Sequence, residues 1–191
     1  MRKPIKIGFD FDGVVAYNPF RVIRFPISFL KRNILGIEKL SFWYPKKRWQ
    51  QIFWRILHES SIFPAKGIDT LRQLIEEEKI EAHLITARYS FLDDHLYKWL
   101  EKHNLKKLFK TINLNKNNEQ PHLFKEKIIN KHKFDIFIED NLDIVTYLHG
   151  RGKTRIYWIY NFLDQYRQHP FKYPYLEKAL EEIIKRLETS V

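Results

Sequence analysis

Apolar residues along this 191-residue chain fall into two alternating patterns: short runs rich in β-branched and aromatic residues, and longer stretches where they recur every three or four positions. The short runs predict five strands, at Ile5 to Asp10, Ala82 to Thr86, Thr111 to Leu114, Asp135 to Glu139 and Arg155 to Tyr160. Between them, Ile68, Leu71, Leu74 and Ile75 share one face of a helix over Ile68 to Glu78, and Leu92, Leu96, Trp99 and Leu100 share a face of the next. Leu176, Ala179, Leu180, Ile183, Ile184 and Leu187 predict a last helix, with Glu181, Glu182, Lys185 and Arg186 on its other side. Strands alternating with helices in this way predict an α/β fold, a parallel sheet covered by helices.

Residues 17 to 62 interrupt the alternation. They contain no clear strand, and they crowd aromatics together: Phe20, Phe25, Phe29, Phe42, Trp43, Tyr44, Trp49, Phe53 and Trp54. Trp49, Ile52, Phe53 and Ile56 fit one helical face, so the pattern predicts a small helical lobe with its own apolar contacts. That lobe would be inserted into a core formed by residues 1–16 and 63–191. Asn113 to Gln120 reads as a polar loop.

Composition adds charge to this picture. Hydrophobic residues make up 44% and charged residues 30%, a balance that folds into a globule. The formal net charge is +11, and the inserted lobe carries nine basic residues against Glu38 and Glu59, seven of those eleven charges. Such an excess favours anionic partners: phosphate esters, nucleotides, nucleic acid or an acidic membrane surface. The lobe itself has three readings, in order: a core with a solvated basic rim, a pocket for a base or sugar phosphate, and a contact surface for nucleic acid or membrane. No cysteine is present, which excludes disulfides and thiolate chemistry, and the eight histidines show no ligand spacing that would hold zinc. The start, MRKPIKIGFDFDG, lacks the long apolar region of a signal peptide, and the apolar stretches are broken by charge too often to span a bilayer. A cytoplasmic protein is expected.

Ligands of open parallel sheets bind at the carboxyl ends of the strands, where strand order reverses. Asp10 and Asp12 sit at the end of the first predicted strand, Thr86 and Arg88 at the end of the second, and Glu139, Asp140 and Asp143 at and just past the end of the fourth. Acids, a hydroxyl and a guanidinium thus converge on one edge. Magnesium prefers such hard oxygen ligands, and a carboxylate can attack phosphorus to form an aspartyl-phosphate once the repulsion between anions is offset. Each residue also has a plainer reading. The two aspartates could cap a strand end, Thr86 could cap the next helix, and Arg88, whose bidentate fork favours a phosphate-binding clamp, could be a surface arginine.

The run IGFDFDGVV, from Ile7 to Val15, resembles the first motif of the haloacid-dehalogenase superfamily of phosphatases. LITAR and FIEDN resemble its second and fourth motifs, and the stretch KEKIINKHKFDIFIED supplies lysines for the third. The resemblance implies a three-layer Rossmann-like core with a cap inserted after the first motif. It implies Asp10 as nucleophile and Asp12 as general acid and base, with the Asp12 backbone carbonyl touching Mg2+ and Gly13 allowing a tight turn. Thr86 would bind phosphate together with Lys125, with Lys127 as the alternative, and Asp140 would be a metal ligand. Asp143 would be an auxiliary acid. Glu139 departs from the motif, where aspartate or glycine is more usual; as a longer acid it is compatible with a water-mediated metal contact and counts as a second auxiliary acid.

The expected function is therefore a magnesium-dependent phosphohydrolase of a small phosphomonoester, with a 5'-nucleotide suggested by a similarity to the 5'(3')-deoxyribonucleotidase-like branch. Two alternatives stand beside it: a phosphatase of nucleic-acid ends, favoured by the basic lobe, and a binding module that keeps the fold without turnover.

Overall fold

The computed structural model describes residues 3–17, 40–59 and 61–189. The chain runs through β1 (Ile5–Asp10), β2 (Ala16–Tyr17), α1 (Arg48–Glu59), β3 (Phe63–Pro64), α2 (Ile68–Glu76), β4 (Ile80–Tyr89) and α3 (Asp93–Lys102). It continues through β5 (Thr111–Asn115), α4 (Pro121–His132), β6 (Ile136–Glu139), α5 (Leu142–Leu148), β7 (Arg155–Ile159), β8 (Lys172–Tyr173) and α6 (Leu176–Thr189).

The main sheet has six strands in the order β5-β4-β1-β6-β7-β8, and every neighbouring pair is parallel. Side chains alternate across it. Ile7, Phe9, Leu84, Ile138 and Tyr157 pack on one face with Leu71 and Leu74 of α2, Leu96 and Trp99 of α3 and Leu180 and Ile183 of α6. Ile85, Phe137 and Trp158 pack on the other with Phe124 and Ile128 of α4 and Val145 and Leu148 of α5. The result is the expected three-layer α/β architecture, with each large buried side chain contributing roughly 1.5–3 kcal/mol. Gly8 lies on the second face, where an added Cβ would meet the Phe137 ring at 2.9 Å, so only hydrogen fits beside β6.

The five predicted strands all form. The second is longer than expected: β4 does not end at Thr86 but continues to Tyr89 through a register shift, pairing Thr86 with Leu114 and then Tyr89 with Asn115. Such a bulge bends the strand and re-aims its side chains, here next to Arg88. Asn113 and Asn115 belong to β5 and not to a loop, and the Asn115 amide braces the turn beyond it through both the N–H (2.9 Å) and the carbonyl (2.7 Å) of Glu119. The pair β2-β3 and the edge strand β8 have two residues each, too short for periodicity to reveal.

The predicted helix around Trp49 forms as α1, with its apolar face uncovered among the described residues. Trp49, Ile52, Phe53 and Ile56 are exposed, while Gln50, Gln51 and Trp54 are half-buried. Anchors on neighbouring elements set this rotation. Tyr44 packs edge-on against Tyr89, and the Arg55 guanidinium donates to the Phe91 carbonyl at 3.1 Å. Phe20, Phe25 and Phe29 of the expected lobe lie outside the described residues.

Candidate active site

Strand order reverses beside β1. The chain leaves β1 for β4 and β5 on one side, then crosses to β6 and β7 on the other, so a crevice opens at the carboxyl ends of β1 and β6. Asp10 is the last residue of β1, and Glu139 the last of β6. After Asp10 the chain turns at Gly13, whose φ of 82° suits a residue without Cβ, and Gly13 N–H closes the turn on the Ala16 carbonyl at 2.8 Å. After Glu139 and Asp140, the Asn141 side chain accepts from Asp143 N–H at 3.0 Å and caps α5.

Two cation–carboxylate arrangements fill the crevice. Lys125, reaching in from α4, lies 2.9 Å from Asp10 Oδ1 and 2.6 Å from Glu139 Oε2. All three side chains are buried, and the other Glu139 oxygen accepts from Asn141 N–H at 3.0 Å. In the second arrangement Arg88 forks onto Asp12, with Nε 2.8 Å from Oδ2 and Nη2 2.7 Å from Oδ1. Ser61 donates to Asp12 Oδ1 at 2.9 Å, the Arg88 guanidinium lies 4.6 Å from the Phe11 ring centroid, and its Nη1 meets His95 Nδ1 at 3.2 Å. Thr86 is buried beside them, its hydroxyl accepting from Arg88 N–H at 3.2 Å.

Burial, then the neighbouring Glu139, pushes the Asp10 carboxyl well above the ordinary carboxylate range; Lys125 opposes this, while Asp140 and Asp12 add to it. Glu139 is likewise raised by burial, against the pull of Lys125. Burial draws the Lys125 ammonium down, but Asp10 and Glu139 outweigh it and hold the group above the usual lysine value.

Asp10, Glu139 and Asp140 offer carboxylate oxygens within 4.8 Å of one another. The four buried acids Asp10, Asp12, Glu139 and Asp140 face two buried cations, Lys125 and Arg88, which leaves two formal negative charges uncompensated. A divalent cation with a preference for oxygen donors fits both the charge and the donor set. Asp10 and Asp140 suit it best, because both Glu139 oxygens are already engaged.

The structure thus gathers Asp10, Asp12, Thr86, Arg88, Lys125, Glu139 and Asp140 at one edge. Asp143 stands apart in the first turn of α5 and is not in the acid cluster. Lys127 is exposed and pairs with Glu119 at 2.9 Å, far from the role that Lys125 occupies. Arg88 is no surface arginine, being 4% exposed. Ser61, His95 and Asn141 complete the site without a sequence signal: a lone serine, histidine or asparagine marks nothing until the fold brings it to an acid or a helix end.

No family model matches the sequence, and no curated protein does. Solved structures match well in shape. The magnesium-bound HAD hydrolase YfnB from Bacillus subtilis aligns with a TM-score of 0.60 over 96% of this chain and 100% of its own, at 14% identity. The fold is that of the haloacid-dehalogenase-like hydrolases. Within that fold, a protein from Thermotoga maritima assigned as a β-phosphoglucomutase aligns at TM-score 0.58 and 14% identity, covering 95% of this chain and 99% of its own. A HAD-superfamily hydrolase from Ehrlichia chaffeensis aligns at 0.56 and 14%, covering 98% and 99%. No helix among the described residues is long and apolar enough to cross a membrane.

Proposed function

We propose that this chain is a magnesium-dependent phosphohydrolase of a small phosphomonoester, with Asp10 as its nucleophile. The observation that carries the reading is Lys125 bridging Asp10 and Glu139 beside Asp140, at the crevice where the strand order reverses. Asp10 and Asp140, with the Asp12 backbone carbonyl, would hold the cation. When bound, magnesium would offset the excess negative charge and draw electron density from the phosphoryl oxygens.

An Asp10 oxygen attacks phosphorus as the ester P–O bond breaks, and Asp12, with one oxygen released from the Arg88 fork and protonated, gives that proton to the departing alkoxide. The products are an alcohol and an aspartyl-phosphate. Water then attacks phosphorus, passes a proton to Asp12, and the bond to Asp10 breaks, releasing inorganic phosphate and restoring both acids. Lys125 and the Thr86 hydroxyl stand where they can hold phosphoryl oxygens, and Arg88 with Ser61 fixes the plane of the Asp12 carboxylate.

For the alcohol portion, motif order favours a 5'-nucleotide, while the Thermotoga relative in shape bears the name of a sugar-phosphate enzyme. A screen over nucleotides and sugar phosphates, with and without magnesium, separates these. On p-nitrophenyl phosphate, Asp10→Asn should lose about 10⁴-fold or more in turnover. Native turnover by Asp10→Asn would overturn the reading.

A further inference from the structure

A surface helix ordinarily turns its apolar stripe to the core and its polar residues to water. Among the described residues, α1 does the reverse. Trp49, Ile52, Phe53 and Ile56, one face by their spacing, are 65%, 56%, 58% and 60% exposed. Beside Trp54, which packs edge-on against Trp43, the inward side carries two glutamines: Gln50 accepts from Lys47 N–H at 2.9 Å, and Gln51 donates to the Pro45 carbonyl at 3.2 Å. The chain leading into α1 is tied down, and one bond holds the helix itself. Gln120 bonds both backbone groups of Phe42, at 2.8 and 3.2 Å, Tyr89 donates to the Trp43 carbonyl at 3.1 Å, and Arg55 ties α1 to Phe91. These ties lie at the carboxyl end of β4 and the start of α4, the same edge that holds the candidate site.

Charge around this face points to its occupant. Lys46, Lys47 and Arg48 are exposed at the helix start, and its first turn holds no acid. Three cations at the positive end of a helix dipole work against the helix itself. An anionic surface resolves that conflict and covers the apolar row together. We infer that the exposed face of α1 docks on an anionic lipid surface, with Trp49, Ile52, Phe53 and Ile56 entering the headgroup boundary and Lys46, Lys47 and Arg48 meeting the lipid phosphates.

This is the composition of a helix lying in a membrane interface: bulky apolar residues on one face and basic residues at its border. A second copy of this chain fits less well, because apposed faces would bring two sets of basic residues together with no acid between Leu40 and Ile56 to offset them. Nucleic acid fits less well too. Ile52 and Ile56 have no ring to stack on a base, and the Trp49 indole N–H is the row's single side-chain donor to base edges.

The test is co-sedimentation of the full chain with vesicles of phosphatidylcholine alone or mixed with phosphatidylglycerol. The protein should pellet with the anionic vesicles and stay in solution with the neutral ones. Because each basic side chain near an anionic leaflet is worth roughly fivefold in affinity, replacing Lys46, Lys47 and Arg48 together by Gln should weaken binding about a hundredfold. Trp49→Gln with Phe53→Gln should abolish it while leaving the circular dichroism spectrum and phosphatase rate unchanged.

Three results would overturn the inference: native protein that stays in solution with anionic vesicles, equal vesicle binding by the Trp49→Gln, Phe53→Gln variant, or a dimer or oligonucleotide complex that this variant alone dissolves. If instead the variant unfolds, the basic triple variant decides: unchanged vesicle affinity in that protein rejects docking through this face.

Discussion

The two aspartates of the β1 turn stand two residues apart and keep different company. Asp10 shares one lysine with Glu139 in a group crowded by acids, whereas Asp12 has a guanidinium fork and a serine to itself. Lysine is a point charge that can bridge two carboxylates without fixing the plane of either; arginine's fork sets the plane of one. The difference suits the proposed roles. A nucleophile needs its charge balanced with room to attack, while a group that moves protons needs a fixed direction.

The largest effect that would sharpen this contrast is expected from Lys125→Ala, which leaves Asp10 and Glu139 buried without their cation. The loss should be about 3–5 kcal/mol of stability by thermal or urea unfolding, and a loss under about 1 kcal/mol would break the comparison.

Arg88→Lys keeps the charge and removes the fork. It should cost about 1–3 kcal/mol. Turnover should fall roughly tenfold to a hundredfold through kcat with KM little changed, since Arg88 acts through Asp12 and not on the substrate. A rise in KM alone would instead make Arg88 a phosphate clamp.

Acid titration separates the pair in another way. Unfolded Asp10 and Glu139 titrate near 3.8 and 4.5, and burial raises both in the fold. A raised carboxyl contributes stability that is fully present below its unfolded value and lost as pH rises through its folded value. Without magnesium, the native chain should therefore lose ground to Asp10→Asn as pH climbs above the unfolded value of 3.8. Added magnesium should narrow the gap. Melting temperatures of the two proteins across pH measure this, and parallel curves would show that Asp10 is not raised.

The smallest change is expected at Lys127. Its exposed pair with Glu119 should be worth under about 0.5 kcal/mol, so Lys127→Ala should match the native chain in stability and turnover. A collapse of activity there would reassign the lysine.

Much of the architecture is legible without coordinates. The alternation in Ile5–Asp10, the unbroken apolar run that opens Ile136–Glu139, and the helical spacing of Leu71, Leu74, Leu96 and Leu100 are local signals that match their elements within a few residues. Elements of two residues, such as β2, β3 and β8, have too little length to show a period. The bulge after Thr86 depends on pairing with β5, which no local pattern encodes.

The amino-acid order by itself determined the layering of strands and helices, and it placed acids at the ends of β1 and β6. Those features follow from periods of two and about 3.6 and from chain position alone. Only the tertiary structure decided that Lys125 rather than Lys127 reaches Asp10, that Arg88 turns to Asp12, and that α1 faces its apolar row outward. Each of these depends on how one element is rotated against another. Rotation is set by contacts between residues distant in sequence, such as Arg88 with Asp12 and Tyr44 with Tyr89.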